Sequence, residues 1–140
     1  MAATRSPAGY SGTPLLKKLG IKPAARLQAL NAPAGLEEWL GPLPEGARWL
    51  GRGAKGLDTV LLFVTERRGL RRRLPGAQRS LAPAGALWLA WPKKTSSIAT
   101  DLTREPVRAA GLAAGLVDVK VCAISEDWSG LKFVVPLTKR

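Results

Sequence analysis

The sequence predicts a three-layer α/β fold with a mostly parallel sheet and a C-terminal antiparallel hairpin. Three observations carry this reading. The runs LDTVLLFVT (57–65) and ALWLAW (86–91) are apolar on both faces, the mark of central strands covered on each side by helices. Between them Leu70, Leu74, Ala77 and Leu81 recur at spacings of three and four, one buried stripe of a helix. Finally, LVDVKVCAI (116–124) and LKFVVPL (131–137) are joined by a turn at Asp127-Trp128-Ser129-Gly130, so the last strand returns antiparallel to its predecessor.

The elements follow in order. Thr13 is placed to cap a short helix with Pro14 in its first position, Leu15, Leu16 and Leu19 as its apolar side and Gly20 as its end. RLQALNA (26–32) reads as the first strand. Pro33 opens a helix over 34–40 that turns Leu36, Trp39 and Leu40 inward, and Gly41-Pro42 stops it. ARWL (47–50) is a short strand, and GRGAKG (51–56) a flexible basic loop. The strand over 57–65 leads into a helix over 67–81, where Pro75 is expected to kink or split the helix. Pro83-Ala84-Gly85 is a turn before the strand 86–91. Its two tryptophans, Trp88 and Trp91, lie an odd number of residues apart and point to opposite faces. After the loop KKTSSIAT, Asp101 and Thr103 read as caps of a helix over 104–114 that ends at Gly115. Trp128, on the hairpin turn, is expected to lie outside the strand core, and Lys120 to snorkel at a sheet edge.

With 140 residues and 46% apolar content, one domain over 13–137 is expected, between a lead-in (1–12) and a tail (138–140). The chain has no histidine and one cysteine, Cys122. That excludes imidazole general bases, Ser-His-Asp and Cys-His catalysis, an intrachain disulfide and the usual zinc sites. Cys122 lies in an apolar run and reads as a small hydrophobe. No apolar run reaches the length of a membrane span and the N-terminus lacks a long apolar stretch, so no membrane partner and a cytoplasmic location are expected. The net charge of +12 favours polyanionic partners. It is unevenly placed: Arg67, Arg68, Arg71, Arg72, Arg73, Arg79, Lys93 and Lys94 fall in a stretch without an acidic residue.

In open α/β sheets ligands bind beyond the C-terminal ends of the strands. The residues expected there are Asn31 and Gly35 after the first strand, and Trp91, Lys93, Lys94, Thr95 and Ser96 at the end of the ALWLAW strand. The lysines and hydroxyls suit a small anionic or nucleotide-like ligand, with Asn31 orienting it and Trp91 flooring the pocket. This non-catalytic binding reading is the first functional expectation. Arg67 with Arg71, and Arg68 with Arg72, are four apart on one helix, so a nucleic-acid-binding stripe is the alternative. No catalytic or metal-ligating residue is assigned.

Over 57–136 the order of elements resembles the class I methyltransferase Rossmann-like fold. LDTVLLFV, RRGLRRRLPGAQRSL, APAGALWLAW, TREPVRAAGLAAG and the pair VDVKVC and LKFVV match its strands, helices and terminal hairpin, with LLKKLGIKPAARLQAL (15–30) as lead-in helix and first strand. The resemblance implies a glycine-rich loop after the first strand and an acidic residue ending the second. In the loop 30–35 only Gly35 remains, Pro33 lacks a backbone donor, and Leu50, Gly51 and Arg52 stand where the acid is expected. The chain between 50 and 57 is too short for the usual third strand and its helix. A trimmed fold is therefore expected, with no cofactor assigned and a group-transfer enzyme as a further alternative. The phrases GYSGTPLLKKLGIK, NAPAG, LLFVTE, AWPKKTSS, TDLTRE and GLVDVKVCAISEDWSGLKFV together resemble a family of small uncharacterised bacterial proteins, a likeness that implies one fold and no particular chemistry.

Overall fold

The two runs that are apolar on both faces form the middle of the sheet. In the computed structural model, which describes residues 13–140, they are β3 (Leu57–Phe63) and β4 (Leu81–Pro92). Around them lie α1 (Leu15–Leu19), β1 (Arg26–Leu30), α2 (Leu36–Leu40), β2 (Arg48–Trp49), α3 (Arg67–Arg79), α4 (Arg104–Ala113), β5 (Val117–Ala123) and β6 (Trp128–Val134). The sheet order is β2-β1-β3-β4-β6-β5. The first four strands are parallel, and β6 runs antiparallel to both β4 and β5. The expected lead-in over 1–12 lies outside the described residues.

Period-two alternation along the central strands divides the core into two layers. Val60, Leu62, Leu87, Leu89 and Trp91 face Leu70, Leu74 and Ala77 of α3 and Val107 of α4. Leu61, Phe63, Trp88 and Ala90 face Leu15 and Leu19 of α1 and Leu36 and Leu40 of α2. Trp88 and Trp91 thus lie on opposite faces, both buried. The Trp88 indole N–H donates to the Leu19 carbonyl at 3.2 Å, so the deepest tryptophan satisfies its polar atom by anchoring α1.

Several boundaries differ from expectation, each for a local reason. Pro14 has ψ 145, an extended value, so it stands at the N-cap position and α1 starts at Leu15. Gly35 is left-handed, φ 97, which delays α2 to Leu36. The strand 57–65 ends at Phe63, after which the chain turns into α3. Pro75 neither splits nor ends α3, because Leu70, Leu74 and Ala77 hold both halves on the sheet; Pro75 itself is exposed. Leu81 belongs to β4, and Pro83-Ala84-Gly85 is a bulge inside that strand instead of a turn before it. Leu57 pairs with Leu81 and Thr59 with Ala86, so the β4 backbone loops out and returns. A Cβ on Gly85 would stand 2.5 Å from the Leu57 carbonyl oxygen, which restricts that position to glycine.

At the other end, Trp128 opens β6, pairs with Pro92 and is buried, correcting its expected place on the turn. Its ring meets Phe63 edge-on, centroids 5.1 Å apart. Residues 138 and 139 continue a 3-10 turn, Leu137–Lys139, where a plain tail was expected. β5 is an edge strand, and Lys120 is exposed on it as expected. Its register with β6 shifts between Asp118 and Lys120, leaving Val119 as an extra residue.

Candidate functional site

Chain order reverses across β1: β2 lies on one side of it and β3 on the other. The crevice above that reversal is where an open α/β sheet holds ligands. Here it is bridged. Asn31, left-handed at φ 59, donates its side-chain Nδ2 to the Phe63 carbonyl at 3.0 Å. The loop after β4 is fastened to the chain just beyond β3. Thr100 donates its hydroxyl to the Thr65 carbonyl at 2.6 Å, and the Asp101 carboxylate accepts the Arg67 backbone N–H at 2.8 Å. Asp101 therefore caps α3 and not α4, the helix it precedes. Thr103 occupies the N-cap position of α4 without a side-chain cap bond.

The open space at this edge lies beyond β1 and β2. A cleft of about 690 Å³ is bounded by the loop Ala32–Gly35, by Glu37 and Glu38 of α2, and by Trp49 and Leu50. The loop is built from small residues, so its backbone forms the wall. Gly35 is fixed there by its own conformation and by packing, since a Cβ would touch the Trp39 ring at 3.4 Å. The charge of the cleft is acidic: Glu37 and Glu38 are both exposed on it, and no cation among the described residues lines it. Carboxylates accept hydrogen bonds from hydroxyls and attract cations, and they repel phosphate.

Of the residues expected at the ligand edge, Gly35 lines this cleft; Lys93, Lys94, Thr95, Ser96 and Trp91 do not. The Lys93 N–H donates to the Asp127 carbonyl at 2.8 Å, which ties the lysine turn to the β5–β6 hairpin, away from β1. Ser96 closes that turn through its N–H to the Lys93 carbonyl, and its hydroxyl accepts the Ile98 N–H. Trp91 is packed in the core against the α3 and α4 side. The arginines of α3 separate as well. The Arg67 guanidinium donates to the Asp101 carbonyl at 3.3 Å, Arg68 and Arg71 are exposed, and Arg72 lines a second cleft, on the α3 side of the sheet.

Glu37, Glu38 and Trp49 were not anticipated as site residues. The signal available in the sequence was an acidic pair directly after the Gly35 loop. Cys122 is half-buried against the α1 and α2 side, and burial pushes its thiol above the ordinary range despite Lys18, Lys120 and Lys93 nearby. Among the described residues no group of carboxylates and thiol is placed to hold a metal ion, and no helix is long and apolar enough to cross a membrane.

A family model described as "Protein of unknown function (DUF3052)" matches residues 53–137. No curated protein matches the sequence. Among solved structures, a SAM-dependent methyltransferase from Aquifex aeolicus is similar with a TM-score of 0.55 and 14% identity, covering 87% of this chain and 88% of that one. Fibrillarin pre-rRNA processing protein from Methanococcus jannaschii is similar at TM-score 0.60 and 13% identity, covering 91% and 70%. Fibrillarin from Aeropyrum pernix, in complex with natively bound S-adenosyl-L-methionine, is similar at TM-score 0.58 and 15% identity, covering 86% and 72%. These likenesses show the class I methyltransferase Rossmann-like fold, with a six-stranded sheet among the described residues of this chain.

Proposed function

The chain belongs to the DUF3052 family, and from that premise we propose that it is a cytoplasmic group-transfer domain of the methyltransferase type that holds an adenosyl ligand in the cleft beside Glu37 and Glu38. The observation that carries the reading is the position and charge of this cleft. It stands at the strand edge where the fold binds ligands, its volume of about 690 Å³ is in the range of small-molecule sites, and it offers two carboxylates.

The residues present fit such a group. Glu37 and Glu38 supply acceptors for vicinal hydroxyls, a role the missing acid at the end of β2 leaves open. Ala32, Ala34 and Gly35 let the backbone approach, and Trp49 and Leu50 form an apolar wall. S-adenosylmethionine, when bound, supplies a methyl group activated on a sulfonium. The acidic lining favours that cation over a phosphorylated nucleotide, so the anionic ligand expected from Lys93 and Lys94 is not the one this cleft suits.

Calorimetric titration with S-adenosylmethionine, S-adenosylhomocysteine and adenosine triphosphate tests the reading. The two adenosyl-sulfur ligands are expected to bind and the triphosphate to bind more weakly. Glu37→Gln with Glu38→Gln is expected to weaken both adenosyl-sulfur ligands by about tenfold or more, the loss of charge-assisted hydrogen bonds. Absence of heat with both, or equal binding by the double variant, would refute it.

A further inference from the structure

On the α3 side of the sheet, no helix among the described residues belongs to β1 and β2. The chain between Leu50 and Leu57 is a loop with none of the described strands or helices, and it leaves Leu30 and Leu50 only partly buried. The uncovered space is a cleft of about 490 Å³. One wall is the loop after β2, carrying Arg52 and Lys55; the other is the C-terminal half of α3, carrying Arg72, Arg73 and Arg79. These five cations are joined by no acidic lining residue.

The cations are held by ordered backbone. The Gln28 side chain donates to the Gly51 carbonyl at 2.7 Å, the Arg26 guanidinium donates to the Lys55 carbonyl at 2.9 Å, and the Ala54 N–H closes a turn on Gly51. The GRGAKG segment is thus a shaped wall. On α3, Arg72, Arg73 and Arg79 share the face that also carries Gly76 and Ser80, by helical periodicity. Arg68, one turn before Arg72, extends the same row. From Arg68 to Arg79 the helix rises roughly 16 Å, enough to face about four or five phosphates of a stacked strand.

We infer that this cleft and the Arg68–Arg79 row bind a nucleic acid through its phosphodiester backbone. Five converging cations suit a ligand with repeating negative charge. Among the described residues the floor of the open cleft is Leu30, Leu50, Ala54 and Pro75, with no aromatic ring, so the contacts are to phosphates and recognition is insensitive to sequence. The inference does not rest on the adenosyl reading: the two clefts adjoin at Ala29 and Leu50 but share none of their charged residues.

The test is fluorescence anisotropy with labelled RNA and DNA single strands of about 20 nucleotides and the matching duplex, at about 50 and about 200 mM salt. At least one of the three is expected to bind at the lower salt, with affinity falling steeply as salt rises. Arg72→Glu with Arg79→Glu is expected to lose about tenfold or more and to flatten the salt dependence. Arg71→Glu with Lys94→Glu makes the same change in net charge outside the cleft and is expected to stay within about threefold. A second cleft pair, Arg52→Gln with Lys55→Gln, alters the opposite wall and is expected to repeat the loss; circular dichroism melting confirms that each variant is folded. A preference for any one of the three supports the inference equally. Two results would overturn it: no binding of any of the three at the lower salt, or equal losses in the cleft and control variants.

Discussion

The side-chain amide of Asn31 donates to the Phe63 carbonyl at 3.0 Å, tying the residue after β1 to the last residue of β3. Asn31 does so from a left-handed backbone, a conformation that asparagine and glycine adopt more readily than alanine. Asn31→Ala loses the bond and keeps the strained backbone, and is expected to cost about 1–3 kcal/mol. Asn31→Gly loses the bond alone and is expected to fall between Ala and wild type. Urea midpoints of the three proteins rank them; an alanine variant as stable as wild type would show that the bridge contributes nothing.

Asp101 caps α3 from a loop that follows the next strand. Asp101→Ala leaves the Arg67 N–H without this acceptor, a loss of about 0.5–2 kcal/mol by analogy with other helix caps. Asp101→Asn retains an acceptor oxygen and is expected to lose less. Hydrogen exchange at the Arg67 amide separates the two: it is expected to accelerate strongly in the alanine variant and weakly in the asparagine variant.

Two glycines inside helices are expected to respond oppositely to alanine. A Cβ on Gly111 of α4 would lie 2.1 Å from the Phe133 ring, so Gly111→Ala is expected to destabilise by about 1–3 kcal/mol or more. A Cβ on Gly76 of α3 meets only the Arg79 side-chain end, at 4.0 Å, so Gly76→Ala is expected to stabilise by about 0.5–1 kcal/mol. Thermal melts of both decide. Adding Phe133→Leu to Gly111→Ala is expected to restore part of the loss, since the leucine relieves the clash.

Asp118 receives the Arg108 guanidinium at 3.0 Å, and that hydrogen bond holds its carboxyl below the ordinary aspartate range. A depressed folded value means that the pair stabilises the fold above the unfolded carboxylate value and that this contribution is lost as pH falls through the folded value. Asp118→Asn is therefore expected to be less stable than wild type at neutral pH, with the two converging in acid below the ordinary aspartate range. Because the pair is only partly buried, added salt is expected to narrow the neutral-pH difference. A gap that persists at low pH would assign the effect to packing.

The layers and strand order were legible because they follow from periodicity. The alternation in Val60–Val64 and Leu87–Trp91 sorted the core, and the 70, 74, 77 spacing located α3. What was illegible depended on partners distant in sequence. Trp128 looked like a turn residue until Pro92 across the ladder drew it into β6. Pro83-Ala84-Gly85 carries every local mark of a turn, yet Leu57 pairing with Leu81 makes it a bulge. The cleft beside Glu37 and Glu38 was illegible for the same reason. Local charge pointed to Lys93 and Lys94, but the bond from Lys93 to Asp127 draws their turn toward the hairpin, while the short chain after β2 opens the clefts around β1 and β2.

The extra residue in β5 has a consequence for how these molecules meet one another. Val117, Val119 and Val121 are 42%, 52% and 42% exposed on an edge strand, a combination that in a flat strand would template fibre growth. The slip at Val119 breaks the regular spacing of outward N–H and carbonyl groups midway, and Lys120 adds a charge that a neighbouring copy would have to desolvate. The opposite edge, β2, is two residues long and gives an incoming strand almost nothing to zip onto. Both described rims of the sheet are thereby poor templates for an incoming strand, which offsets the hazard that the exposed valines would carry on a long flat edge.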